Sequence, residues 1–291
     1  MKSYQDEDRH LLDYGLAVVP GLEDWGASFR GPPPSRPGFV AFLGAAQTFG
    51  RLCASPFPAL IAARLGVEVL NLGHGGAGPE FFLRSGLLQP VPEAAVAVVQ
   101  VMSARSQSTE HFRSDEGLMA GHRVRDGRAM VAEEFFEDVC RTEPDQVPAV
   151  ASAFQSAYVR TMRELLIALR PLPTILFWFS VRPPGHTATS GDARAVLGTF
   201  PQLVDREVIE AIRPYATDYV ECIGSAGLPR PIVDADGRPS SFVLDYRLDR
   251  PEQYTIETDS YYPSPEMHAD AAGCLAGPIE ALRYGRASQI T

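Results

Sequence analysis

Four short runs are mostly or wholly apolar: Phe39–Leu43 (FVAFL), Val67–Leu72 (VEVLNL), Ala94–Met102 (AAVAVVQVM) and Thr174–Val181 (TILFWFSV). Short apolar runs read as strands buried on both faces, which is the signature of a parallel sheet. Asp218–Ile223 reads as a weaker fifth strand. Helical segments fall between them: Thr48–Leu65, interrupted by Ser55, Pro56 and Pro58; Pro79–Leu88; Pro148–Arg170; Pro201–Ile212; and Ala269–Tyr284. The third is the clearest, because Val150, Phe154, Ala157, Tyr158, Met162, Leu165 and Leu169 recur at helical spacing. Strands alternating with helices imply a mostly parallel sheet covered on both faces.

Residues 1–37 form a polar arm punctuated by Pro and Gly, expected to pack on a single α/β domain spanning 38–291. Within the arm, Asp8–Val19 has some helical periodicity before Pro20 stops it. Insertions are expected near 106–147, with a turn at Asp126-Gly127, and near 226–256, with a hairpin turn at Asp236-Gly237.

A net charge of −10 argues against general binding to nucleic acid or anionic membranes. No apolar run is long enough to span a membrane, and MKSYQDEDRH does not read as a signal peptide, so the expected location is cytoplasmic. The cysteines Cys53, Cys140, Cys222 and Cys274 form no CxxC and no histidine pair has helical metal spacing, so neither a metal nor a cofactor is expected. Lys2 is the sole lysine, so nearly all positive charge is arginine, which grips oxyanions with two donors.

Ligands of open α/β sheets bind beyond the carboxyl ends of the strands. The residues that follow the strands here are Gly44-Ala45-Ala46-Gln47-Thr48, Gly73-His74-Gly75-Gly76-Ala77-Gly78, Ser103-Ala104-Arg105-Ser106-Gln107-Ser108 and Arg182-Pro183-Pro184-Gly185-His186. Gly73, Gly75 and Gly78 match G-x-G-x-x-G, but no acidic residue stands where a dinucleotide ribose needs one, which favours a tight turn. Tyr254, Tyr261 and Tyr262 precede His268, either as a sugar-stacking platform or as a packed lid.

Taken together, these blocks resemble the SGNH (GDSL-like) hydrolase superfamily. FLGAAQTFGR is similar to the family's LGDSxTxG segment, with Gly44, Thr48 and Gly50 matching. NLGHGGAGP is similar to N-x-G-x-x-G-x-G through Asn71, Gly73, Gly76 and Gly78. The resemblance implies a three-layer, flavodoxin-like parallel sheet of about five strands. It also implies a serine nucleophile, an oxyanion hole and an Asp/His pair, and here the sequence departs. Ala45 and Ala46 occupy the Asp-Ser positions, MSARSQS replaces G-x-N-D, and PEMH keeps His268 but puts Pro265 at the acid position, with Glu266 beside it. The whole chain also resembles an uncharacterised bacterial family of about this length.

Acyl transfer needs a hydroxyl nucleophile, a base and oxyanion donors. Three functions therefore stay open. The first is a degenerate SGNH-like protein binding a small anionic molecule, carbohydrate or lipid head group through Ala45, Ala46, Gln47, Gly73, His74, Gly75, Gly76, Arg105 and Arg182. The second is an active esterase or group-transfer enzyme with His268 as base and Ser103, Ser106 or Ser108 as nucleophile. The third is a non-catalytic partner-binding protein, with the two insertions as its interface. The sequence does not indicate an oligomeric state.

Overall fold

The computed structural model describes residues 4–23, 28–84, 86–185, 190–244 and 254–287. Its main sheet holds β1 (Leu16–Ala17), β2 (Phe29–Arg30), β3 (Val40–Leu43), β4 (Val69–Asn71) and β5 (Val96–Gln100). After an intervening antiparallel sheet of β6 (Phe112–Ser114), β7 (Ala120–Arg123) and β8 (Ala129–Val131), β9 (Thr174–Ser180) and β10 (Asp218–Ile223) complete it. The spatial order is β1-β2-β4-β3-β5-β9-β10, and the last five strands in that order run parallel.

Numbered along the chain, those parallel strands lie in the order 2-1-3-4-5, the flavodoxin-like arrangement. The chain leaves β3 toward β4 on one side and returns to place β5 on the other. The crevice of such a sheet opens at that reversal, beyond the carboxyl ends of β3 and β5.

Successive side chains of a strand point to opposite faces, and here both faces are apolar. Ala41, Leu43, Ala97, Val99, Leu176 and Trp178 join one core. Val40, Phe42, Val96, Val98, Ile175, Phe177 and Phe179 join the other. The nine helices of the described residues are α1 (Tyr4–Asp8), α2 (Ala46–Phe49), α3 (Phe57–Leu65), α4 (Pro79–Arg84), α5 (Ala132–Thr142), α6 (Val147–Ala168), α7 (Ala193–Leu197), α8 (Arg206–Ile212) and α9 (Pro265–Ala287). Helices α3 and α9 bury the second face; α4, α5, α6, α7 and α8 supply residues to the first.

Two expectations need correction. The Thr48–Leu65 helix is two helices, because Gly50 adopts a left-handed cap (φ 79°) and α3 begins only after Pro56. Helix Asp8–Val19 does not form: α1 stops at Asp8, and Leu16–Ala17 instead pairs antiparallel with β2. The five parallel strands are those the sequence indicates, and the antiparallel β1 and β2 extend the same sheet to seven.

The 106–147 segment carries β6–β8 and α5, with Gly127 at the β7–β8 turn. Residues 226–256 hold β11 (Arg230–Pro231), a turn at Asp234–Gly237, β12 (Phe242–Leu244) and β13 (Tyr254–Ile256). β12 pairs with β13, and β11 pairs with β14 (Thr258–Asp259).

Candidate functional site

The turn after β3 is fixed by Gln100, the last residue of β5. Its Oε1 accepts from the Ala45 backbone N–H (3.0 Å) and from the Thr48 hydroxyl (2.6 Å). Asn71 clamps the same turn from β4: its Nδ2 donates to the Thr48 carbonyl (3.0 Å) and its Oδ1 accepts from the Gly73 N–H (2.9 Å). A Cβ on Gly73 would overlap the Phe49 backbone nitrogen, so only glycine lets the two turns pack this closely. The GHGGAG run is thus a packing turn.

Ala46 opens α2 with its methyl buried. It shares an apolar cluster with Leu11 of the N-terminal arm and with Ile232, Phe242 and Tyr262. Tyr4 closes the same region: a Cβ on Gly75 would overlap its hydroxyl, and its ring lies 4.2 Å from the Arg51 guanidinium. Arg51 is buried and forms a bidentate pair with fully buried Asp8 (2.7 and 2.9 Å), reaching Glu7 (3.0 Å) and the Tyr262 hydroxyl (3.0 Å) as well. Burial works against its charge, but Tyr262, Asp8 and Tyr4 outweigh it and hold the guanidinium ionised.

The loop after β5 carries Ser103, Arg105 and Ser106. The Ser103 hydroxyl faces the Gln202 carbonyl (3.4 Å), and the Ser106 hydroxyl donates to the Gly76 carbonyl (2.8 Å). The Ser108 hydroxyl contacts Glu80 (3.3 Å). Arg105 is ion-paired with Glu133 and lies beside Tyr261. Burial disfavours its charge, and Glu133 and Tyr261 more than restore it. Arg182 serves the backbone instead of a cleft: it donates to the carbonyls of Thr199, Pro183, Pro201 and Val204 (2.8–3.1 Å) and lies over Trp178. His74 is half-buried against Phe81, with Nδ1 at 3.1 Å from the Gly75 carbonyl, and burial lowers its pKa.

His268 lies in the first turn of α9, wholly buried. Its ring stacks on Phe57, and its Nδ1 accepts the Phe57 backbone N–H (3.2 Å), so the neutral ring carries its proton on Nε2. The structure therefore places neither Ser103 nor Ser106 as its hydrogen-bond partner. Glu266 is exposed and bonded to its own turn and Ser264, not to His268. His186 lies outside the described residues.

Burial, then Arg30 and Arg230, push the His268 pKa down to about 3. An unfolded histidine titrates near 6.5. Between these values the unfolded chain holds a proton that the folded chain lacks. Stability from this group is complete above about pH 6.5 and falls by about 1.4 kcal/mol per unit as pH drops toward 3. From about pH 4 to 6 the slope of unfolding free energy against pH, measured with urea, is expected to be smaller in His268→Gln than in the wild type by about one proton.

Sequence reasoning missed Arg51, Asp8, Tyr4, Gln100 and Glu133. Only Arg51 had a local signal, since it ends the FLGAAQTFGR block. Among the described residues no group of three or more His, Cys, Asp or Glu side chains is arranged to hold a metal ion, and no helix is long and apolar enough to cross a membrane.

The model of the domain of unknown function DUF6473 matches residues 10–116 and 130–231. The chain belongs to the DUF6473 family. No curated protein matches it. Among solved structures, this DUF6473 chain is similar to phospholipase A1 from Streptomyces albidoflavus, at 12% identity and TM-score 0.46, covering 86% of this chain and 100% of that one. It is also similar to an acetyl xylan esterase from Butyrivibrio proteoclasticus, at 12% identity and TM-score 0.43, covering 90% and 67%. A family two carbohydrate esterase from Clostridium thermocellum, solved with cellohexaose, matches at 11% identity and TM-score 0.40, covering 87% and 67%. The fold of this DUF6473 member rests on its own sheet order.

Proposed function

We propose that this DUF6473 protein is an SGNH-like protein without a nucleophile, and that it binds a hydroxyl-rich ligand, a carbohydrate, beyond the carboxyl ends of β3 and β5. One observation carries the reading. Buried side-chain atoms without partners occur on Gln47 after β3 (Oε1), on Gln100 and Arg105 at and after the end of β5 (Nε2 and Nε), and on Glu133 (Oε2) and Gln202 (Oε1), two residues that contact the loop after β5. Folded proteins leave few buried polar atoms unpaired, and each one asks for an explanation. A single ion pair, Arg105–Glu133, here offers both a donor and an acceptor. A hydroxyl satisfies both at once; an oxyanion only accepts and is repelled by Glu133.

The charge balance favours a neutral ligand over an anionic one. Arg51 is matched by Asp8 and Glu7, Arg105 by Glu133, and Arg182 is taken up by backbone carbonyls. Tyr261, 41% exposed and beside Arg105, stands on the solvent side and supplies a ring face.

Calorimetry with neutral xylo-oligosaccharides, with glucuronate and with phosphate tests this. The neutral sugars are expected to bind and Arg105→Met to weaken them at least tenfold. Selective binding of glucuronate or phosphate would overturn the neutral-ligand reading. The same protein is expected to leave p-nitrophenyl acetate and acetylated xylan unhydrolysed. Ala46→Ser is expected to gain no turnover, because the new hydroxyl enters the Leu11–Tyr262 cluster and His268 is bound to Phe57. Wild-type turnover abolished by Ser103→Ala or Ser106→Ala would instead restore the enzyme reading.

A further inference from the structure

Cys222 sits on β10, the edge strand of the main sheet, and is buried on the side covered by α9. Helix α9 packs Ala271 and Leu275 into the same cluster as Cys222. Cys274 lies between them on the helix surface and is exposed. The two thiols are neighbours across the contact between β10 and α9, although 52 residues separate them in the chain. One sulfur is thus reachable from solvent and the other lies beneath the packing of helix on sheet. Cys53 and Cys140 belong to other parts of the molecule, the loop after α2 and helix α5.

We propose that Cys222 and Cys274 form a peroxide-reactive dithiol that closes to a disulfide between β10 and α9.

The order of events follows from exposure and proton state. Burial, Cys274 and Asp270 push the Cys222 thiol up to about 12, so it stays protonated at neutral pH. Cys274, the exposed sulfur, meets the oxidant first. Its thiolate attacks one oxygen of hydrogen peroxide; the O–O bond breaks, a sulfenic acid forms and water leaves. The Cys222 sulfur then attacks the sulfenic sulfur. The S–S bond forms, the S–O bond breaks, and the hydroxide departs as water with the proton that Cys222 gives up. In sum two thiols and one hydrogen peroxide give one disulfide and two waters, and the peroxide takes the two electrons. The bond ties the helix that carries His268 to the sheet edge.

The test treats reduced full-length protein with hydrogen peroxide, blocks the remaining thiols and maps peptides without reduction. The expected product is a monomer with a peptide linking Cys222 to Cys274, two of the four thiols lost, and full reversal by dithiothreitol. Cys274→Ser is expected to abolish the link. Cys222→Ala is expected to leave a sulfenic acid at Cys274 that dimedone traps. The proposal is overturned if wild-type protein under the same treatment gives over-oxidised Cys274, a Cys274–Cys274 dimer or four unreacted thiols, with no Cys222–Cys274 peptide. That result needs no variant, so it stands even if a substitution impairs folding.

Discussion

Asp8→Ala is expected to destabilise the protein by about 3–5 kcal/mol, the cost of stripping one partner from a buried ion pair. Asp8 is fully buried, and both its oxygens bind Arg51, while the Tyr14 hydroxyl donates to Oδ2 at 2.8 Å. Removing the carboxylate leaves the Arg51 cation among the rings of Tyr4, Phe242 and Tyr262, with Glu7 as its remaining anionic partner among the described residues. The loss is specific to the unmatched charge. Arg51→Met in the Asp8→Ala background is therefore expected to regain much of it, because an apolar replacement of the whole pair often costs little. Equilibrium urea unfolding of the two singles and the double closes the cycle. Additive losses would show that the two residues act separately. The same pair fastens the arm that places Leu11 on Ala46. Asp8→Ala should thus also expose the 9–23 segment to limited proteolysis before the rest of the chain.

The fold was legible because its strands are buried on both faces, which writes them into the sequence as apolar runs. Asp218–Ile223 could be read at the residue level even though only Cys222 in it is buried. By contrast, β1 and β2 are two residues long each and β2 meets β4 through a single Arg30–Asn71 pair, so no periodicity announces them. The glycine blocks were legible for a related reason. Gly73 is needed wherever two backbones touch, and that need does not depend on distant residues. Side-chain partners were another matter. Arg182 follows a strand end and looks available, but the carbonyls of 199–204 that occupy it come from a turn with no marker in the sequence. Arg51 and Asp8 are 43 residues apart, and nothing local to either says that they meet. His268 was found by its motif, yet its proton position depends on the Phe57 amide, which only the packing of α3 against α9 brings near. A sequence shows which residues reach the sheet's carboxyl edge; it does not show which of them are already spoken for.

Arg30→Met should be the other severe substitution, with a loss of about 4 kcal/mol. The Arg30 guanidinium is buried and gathers four carbonyls from the end of α2 and the loop that follows it: Phe49 (3.1 Å), Gly50 (2.5 Å), Cys53 (2.6 Å) and Ala54 (2.9 Å). Hydrogen bonds from a charged donor contribute about 1.5–3 kcal/mol each, and buried acceptors left without one cost more than the mean bond is worth. The sum is held near 4 because the loop can relax and water can reach part of it. Arg30→Lys should recover only a fraction, since one compact ammonium cannot span two pairs of carbonyls as the planar fork does. A second readout separates this charge from its packing. Arg30 is, after burial, the next cause that lowers the His268 pKa. Taking the cation away raises the folded-state pKa from about 3 toward the unfolded value. The pH range over which unfolding takes up a proton then narrows from its acid end. Arg30→Lys, still charged, should keep the range wide while losing stability. If Arg30→Met and Arg30→Lys show the same pH profile in urea titrations, the guanidinium acts on the loop alone and its field does not reach the buried imidazole.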